Sequence, residues 1–356
     1  MATDTVNIKI TKVEKSKIES VDFNDLPFGK FFSDHMFEMD YIDGKWQTPT
    51  IVPFANLSLH PATSAIHYGQ SIFEGLKAQR NKDGEIIVFR PDMNAKRFNE
   101  SASRMCMQPV PEELFLEAIK TLISIDQDWV STKEGLSLYI RPFMFATDSY
   151  VGIRPSENYK FVIITSPVGA YYSEPVPVKI ETKYTRAAAG GVGRAKAAGN
   201  YAASLYPAKL GQAEGYRQLI WTDAKTHTFI EEAGTMNVLF VINDVIITPS
   251  EVEDTILKGI TKRSLLDIAK DWGYKIEERK VTVEEVINSL KDGSLQDAFG
   301  AGTAATIAHI SRIGFDGVDY QLPPIEGREF SNKLKKYLDS YKNGEFEDTR
   351  NWLMKI

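Results

Sequence analysis

Hydrophobic and polar positions along this chain change period several times, and each change marks a new element. Phe37, Met39 and Tyr41 alternate with Glu38 and Asp40, the period of a half-buried strand, before Asp43-Gly44 turns the chain. A second hairpin is predicted across Asp83-Gly84, between Leu76–Arg80 and Glu85–Phe89. The period then lengthens to that of a helix over Asn94–Met107. It does so again over Pro111–Ile125, where Leu114, Ala118, Leu122 and Ile125 share a face. Leu136–Ala146 and Lys160–Pro167 are apolar and β-branched, as central strands are. The first ~25 residues are charged and weakly patterned, which predicts a strand or an arm on the surface.

Pro175 and Pro177, two apart among polar neighbours, suit an exposed connection. This places a smaller N-terminal domain at 1–168, a connection at 169–179 and a larger domain at 180–356. The second part opens with strand-like Val178–Thr182 and passes a glycine-rich loop. A helix is expected from about Ala202, with Pro207 near its first turn. Hairpins follow, Arg217–Thr222 with Thr228–Glu231, and Val238–Ile242 with Val245–Thr248 across Asn243-Asp244. Thr261–Trp272 reads as a helix closed by Gly273, and Thr282-Val283-Glu284-Glu285 as a capping box opening another. Strands and helices are interspersed without strict alternation, so both domains are expected to be α+β, each a mixed sheet plus helices.

Bulk properties narrow the function. The chain has 356 residues, long enough for two domains and a large core, and 43% hydrophobic content with 25% charge is ordinary for a globular protein. A net charge of −6 argues against nucleic acid or an anionic membrane as partner. Cys106 is the only cysteine, which excludes an internal disulfide. The pattern Phe98, Ala102, Met105, Cys106 predicts it as a small buried hydrophobe. Met1–Asn7 lacks the basic and apolar regions of a signal peptide and the arginine-rich character of a transit peptide, and no apolar run approaches ~20 residues, so a cytoplasmic location is expected. The five histidines show no ligand spacing, so no metal site is expected.

Lys196 is the residue that points to chemistry. It stands in Gly190-Gly191-Val192-Gly193-Arg194-Ala195-Lys196-Ala197-Ala198-Gly199-Asn200-Tyr201, and Glu231-Glu232-Ala233-Gly234-Thr235-Met236-Asn237 follows. Amine, phenol and carboxylate in that order are what a pyridoxal phosphate enzyme needs: one forms the Schiff base, one bonds the ring hydroxyl, one keeps the pyridine nitrogen protonated. Gly191-Val192-Gly193 also raises a dinucleotide-binding loop, but Lys196 stands where that fingerprint needs a third glycine.

Seven motifs in one order extend the argument. Besides the two above they are Asn56-Leu57-Ser58-Leu59-His60-Pro61, the run from His67 to Ala78 containing Phe73-Glu74-Gly75-Leu76-Lys77, Leu138-Tyr139-Ile140-Arg141-Pro142, Pro167-Val168-Gly169-Ala170-Tyr171, and Phe299-Gly300-Ala301-Gly302-Thr303-Ala304. From about Phe28 to near the C-terminus the chain resembles the branched-chain amino acid aminotransferases, of the fold type IV class of pyridoxal phosphate enzymes. That resemblance implies transfer of the amino group between L-leucine, L-isoleucine or L-valine and 2-oxoglutarate by ping-pong kinetics, in a homodimer whose partner contributes to the site. It implies Lys196 as catalytic amine, Tyr201 on the ring hydroxyl and Glu232 on the pyridine nitrogen. Glu231, its neighbour, would face the other way, since side chains alternate in an extended segment and only one can face the ring.

The phosphate is expected on Ile260 and Thr261 at a helix start, on Thr303, and on Arg97 by resemblance. The resemblance also supplies the walls of a branched aliphatic pocket, Phe28, Tyr68, Phe73, Tyr139, Ile153 and Tyr171, with Lys77 close by. Arg141 shares a strand face with Tyr139 and would accept the side-chain carboxylate of glutamate. Main-chain N–H groups near Thr235 and Ala304 would meet the substrate α-carboxylate. D-amino acid aminotransferase and aminodeoxychorismate lyase share the lysine and glutamate, but the Phe73–Lys77 and Tyr139–Arg141 motifs favour the branched-chain group. Vertebrate members carry Cys-x-x-Cys where this chain has Ala305 and Ala308, so thiol regulation is not expected.

Overall fold

A computed structural model of the chain describes residues 7–169 and 174–356. Two compact units emerge: 1–171 with 195–199 and 341–356, and 172–194 with 200–340. This grouping departs from a single boundary. The Lys196 segment and the C-terminal segment join the first unit, which makes that unit the larger one. The physical cause is pairing: Ala197 bridges Ile72, and the C-terminal strand Leu353–Lys355 runs antiparallel to Ile87–Phe89.

The first unit carries nine strands before the connection: β1 (Lys9–Ile10), β2 (His35–Ile42), β3 (Lys45–Trp46), β4 (Thr50–Pro53), β5 (Ser71–Phe73), β6 (Leu76–Arg80), β7 (Ile86–Phe89), β8 (Ser137–Ala146) and β9 (Tyr159–Val168). With the C-terminal strand they form one sheet in the order β1-β4-β2-β9-β8-β6-β7-C-terminal strand, β3 and β5 being attached to β2 and β8. The predicted hairpin turns are present, and Asp43, Gly44 and Gly84 take the positive φ such turns require. Helices α1 (Ser64–Tyr68), α2 (Pro91–Arg104) and α3 (Glu112–Ile125) complete the unit. Its core sits between the helices and one sheet face, where Phe98 and Phe115 pack on Phe161, and Phe161 on Phe37.

Helix α2 begins three residues before its predicted start, at Pro91, whose missing N–H costs nothing in a first turn. It ends at Arg104, and Cys106 then takes φ 53° in the turn beyond. Cys106 is therefore exposed, not the buried hydrophobe its spacing suggests, because the helical period stops just before it.

The second unit contains β10 (Val176–Glu181), β11 (Gln218–Thr222), β12 (Ile230–Ala233), β13 (Met236–Ile242), β14 (Val245–Pro249), β15 (Lys275–Arg279), β16 (Leu295–Gly302), β17 (Thr306–Phe315) and β18 (Val318–Gln321). Six of these close on themselves, since β11 pairs β12, β12 pairs β13, β13 pairs β16, β16 pairs β17, and β10 joins β17 to β11. Closure removes the edges a flat sheet would leave. Helices α4 (Ala198–Ala213), α5 (Ile260–Asp271), α6 (Val283–Lys291) and α7 (Glu329–Lys342) follow in order. Helix α4 starts at Ala198 instead of Ala202, so Pro207 stands in its interior and forfeits the N–H bond back to the previous turn. Helix α6 has half of its capping box: Thr282 accepts from the Glu285 N–H at 3.0 Å, while the Glu285 carboxylate is taken by Arg279 at 2.6 and 2.9 Å.

Candidate active site

Side-chain alternation in the first sheet sorts its residues into two faces. Ile72, Leu76, Ala78, Leu138, Ile140 and Met144 enter the core under the helices. Phe73, Lys77, Tyr139 and Arg141 therefore fall on the opposite face. Lys77 pairs directly with Tyr139 across β6 and β8, and Phe73 with Phe143 across β5 and β8. Gly75 lies so close under this face that a methyl group there would overlap the Tyr139 hydroxyl.

Phe73 is the shared wall. The Arg141 guanidinium lies 4.5 Å from its ring centre and the Lys196 Nζ 4.8 Å from it. Arg141 also donates to the Tyr139 hydroxyl at 2.9 Å, while its Nε is buried without a partner. Among the described residues no carboxylate pairs with Arg141. Phe28 packs edge-on against Tyr139, centroids 4.9 Å apart. Backbone bonds hold Lys196 itself: its carbonyl accepts from Phe73 N–H at 3.0 Å and its N–H donates to Ser101 Oγ at 2.9 Å.

Arg97, on α2, is buried and not a solvent-facing helix residue. Asn94, Arg97, Phe98 and Ser101 recur at helical spacing on α2 and turn one face inward. Arg97 meets Glu74 with both arms, Nε on Oε1 at 2.7 Å and Nη2 on Oε2 at 2.8 Å, and Asn94 adds a 2.7 Å bond. Burial pushes the Glu74 carboxyl up, but Arg97, Lys196 and Asn94 bring it below the usual carboxylate range.

Tyr68 and Ile153 stand apart from this cluster. They are 43% and 92% exposed, on the surface of the first unit. Tyr171 lies outside the described residues.

The second unit gathers the other half of the predicted residues around strands β12 and β13. Glu232 is buried; it accepts from Leu257 N–H at 2.7 Å and pairs with Arg186 at 2.7 Å. Arg186 also donates to the Thr255 carbonyl. Asn237, opposite Glu232, donates to the Leu257 carbonyl at 2.9 Å. Gly259 then passes so close to Asn237 Oδ1 that any Cβ would collide. These contacts fix the entry into α5, where Ile260 and Thr261 form the first turn with no side chain capping it. Four N–H groups at such a start look outward for acceptors. Because β13 pairs β16 with Asn237 opposite Ala301, the turn holding Thr235 and the one holding Thr303 and Ala304 share one end of the barrel. Tyr201 is half-buried on α4.

Glu231, the neighbour of Glu232, is buried as well. It is 5% exposed, one carboxylate oxygen has no partner, and burial raises its carboxyl above the ordinary range. A strand in a closed barrel has no solvated face at this point, so alternation moves the side chain without exposing it.

A model of the class IV amino-transferase family matches residues 71–313. The chain is 41% identical over 100% of its length to branched-chain-amino-acid aminotransferase 2 of Bacillus subtilis, covering 98% of that protein. Among solved structures it is similar to the branched-chain aminotransferase of the archaeon Thermoproteus uzoniensis with norvaline (TM-score 0.74, 26% identity, 90% of this chain and 99% of that one). It also resembles the branched-chain amino acid aminotransferase of Escherichia coli (TM-score 0.70, 25% identity, 89% and 98% covered). The chain belongs to the class IV amino-transferases. Its α+β architecture in two parts is that of the fold type IV enzymes.

Sequence reading of this class IV amino-transferase missed three residues that the structure ties to predicted ones: Glu74 on Arg97, Arg186 on Glu232, and Ser101 on the Lys196 backbone. Glu74 stood inside a quoted motif. Arg186 had no signal, since its partner is far along the chain and only folding pairs them.

Proposed function

We infer that this chain is a branched-chain-amino-acid aminotransferase that works with pyridoxal 5'-phosphate, exchanging the amino group of L-leucine, L-isoleucine or L-valine with 2-oxoglutarate in ping-pong fashion. One observation carries the reading: the amine of Lys196 and the guanidinium of Arg141 rest on one aromatic ring, that of Phe73. An enzyme that alternates between an aliphatic amino acid and glutamate needs such a wall, apolar for one side chain and charged for the other.

The residues fit the cofactor. Gly259 lets the chain pass Asn237 Oδ1 into α5, the open start of α5 offers N–H groups to a phosphate, and Glu232 is a buried carboxylate held by an arginine. When bound, pyridoxal phosphate supplies an aldehyde that captures amines and a ring that accepts electrons from the substrate Cα. Lys196 would hold that aldehyde and, as a free amine beside the substrate Cα, would move its proton as a general base and acid. Glu232 would keep the pyridine nitrogen protonated, with Arg186 paired to Glu232 at 2.7 Å. Tyr201 bonds the ring hydroxyl, and Ile260, Thr261, Thr303 and Arg97 take the phosphate. Phe28, Phe73 and Tyr139, with Lys77 beside them, receive the aliphatic side chain, and Arg141 the γ-carboxylate of glutamate. N–H groups near Thr235 and Ala304 take the α-carboxylate.

The enzyme is a cytoplasmic homodimer in this reading. No helix among the described residues is long and apolar enough to cross a membrane. Tyr68, Tyr150, Val151 and Ile153 form an exposed apolar surface in the first unit, joined by the Thr63–Ser149 bridge, that a second copy would cover.

Borohydride reduction followed by peptide mapping tests the assignment. The pyridoxyl group is expected on Lys196, and Lys196→Ala is expected to keep its fold and lose turnover. A label on any other lysine would overturn it.

A further inference from the structure

We propose that Glu74 is a positioning residue for the cofactor phosphate, acting by fixing the guanidinium plane of Arg97. The inference rests on the reading of Arg97 as a phosphate ligand. Glu74 is completely buried, and its two oxygens receive Arg97 Nε, Arg97 Nη2 and Asn94 Nδ2 within 2.8 Å. Its own N–H donates to the Pro142 carbonyl at 2.7 Å, so the backbone carrying the carboxylate is tied to β8. An arginine side chain has four rotatable torsions. A bidentate partner on a fixed backbone removes that freedom and leaves the fork in one orientation.

Place in the chain makes the contact functional. Phe73, the preceding residue, gives its N–H to the Lys196 carbonyl at 3.0 Å. Two consecutive residues at the end of β5 thus hold the backbone of the covalent anchor and the guanidinium of a phosphate ligand. The aldehyde and the phosphate-bearing CH2 arm of pyridoxal phosphate sit on neighbouring carbons of one planar ring, which bounds the span between the two grips. Fixing both grips from one short strand sets the spacing that a single ligand must bridge. A buried ion pair is a poor source of stability compared with apolar residues of the same volume, so tightness of packing alone does not account for it.

The test compares affinity for pyridoxal phosphate with affinity for pyridoxal, which lacks the phosphate, read from the absorbance of the protein-bound ligand. Glu74→Gln is expected to weaken pyridoxal phosphate at least ~10-fold and pyridoxal by less than ~2-fold, with Glu74→Asp recovering part of the loss. Arg97→Gln should show the same selectivity, and Glu74→Gln with Arg97→Gln should be no weaker than Arg97→Gln alone. If Arg97→Gln loses no phosphate selectivity, the reading of Arg97 falls. If Arg97→Gln is selective and Glu74→Gln weakens both ligands equally or neither, the inference about Glu74 falls. Should Glu74→Gln not fold, the double variant decides: a further phosphate-selective loss beyond Arg97→Gln means Glu74 does not act through Arg97.

Discussion

Arg141 shows how much one residue can decide. Its guanidinium lies over Phe73 and bonds Tyr139, with a buried Nε still unmatched. On the proposed function, Arg141→Leu would remove the charge that glutamate needs and leave methyl contacts for leucine. Losing one partner of a buried charge pair costs about 2–5 kcal/mol, so kcat/KM for glutamate and 2-oxoglutarate should fall at least ~10-fold. The leucine half-reaction, followed in a single turnover, should change much less; parallel losses would mark Arg141 as a strut. Glu231 gives a prediction of the opposite kind. Burial, with Glu232 and Asp223 nearby, raises its carboxyl above the ordinary value of 4.5 against the pull of Thr255 and Arg186. A folded-state value above the unfolded one contributes stability in acid that is lost as pH rises through it. Glu231→Gln cannot ionise, so its Tm relative to the unsubstituted protein should improve as pH rises above the ordinary value of 4.5. A constant difference over that rise would mean Glu231 is not the titrating group.

Elements matter here through their ends. Helix α5 owes its position to the loop before it, pinned by Glu232 and Asn237 on Leu257, and to Gly259, where a methyl group would strike Asn237 Oδ1. Gly259→Ala should displace that start. Overpacking of this kind costs about 1–3 kcal/mol, visible as a lower urea midpoint, and pyridoxal phosphate affinity should fall with it. An unchanged affinity would show that the α5 N-terminus does not hold the phosphate. The hairpins and helices were largely legible because each has local chemistry: Asp-Gly and Asn-Asp turns at positive φ, Thr282 as a cap, Gly273 after the last turn of α5. Pattern alone starts helix α4 four residues late, because Pro207 reads as a first-turn residue while the folded chain carries it in the helix interior.

For the whole molecule, the exposed apolar surface around Ile153 bears on assembly. At 92% exposure Ile153 gains nothing in a monomer, and Val151 beside it is 65% exposed. Ile153→Asp should weaken a dimer by at least ~10-fold in sedimentation velocity at micromolar concentration, since a charge in an apolar contact must be desolvated unpaired. If the variant sediments as the unsubstituted protein does, the subunit contact lies elsewhere.

Motif order and family resemblance marked Lys196 and Glu232 as candidates, while local pattern determined the strand faces, the turns and most helices. Those depend on residues within a few positions of one another, where periodicity and cap chemistry act. Tertiary structure alone decided which charges meet. Glu74 finds Arg97 on a helix that begins after two intervening strands, and Glu232 on β12 finds Arg186 in the segment that follows β10. It also decided that Glu231 is buried and Cys106 exposed, the latter against its pattern. Burial is set by what the rest of the chain places over a residue, and neither barrel closure nor the last turn of a helix is encoded at the residue it buries or releases.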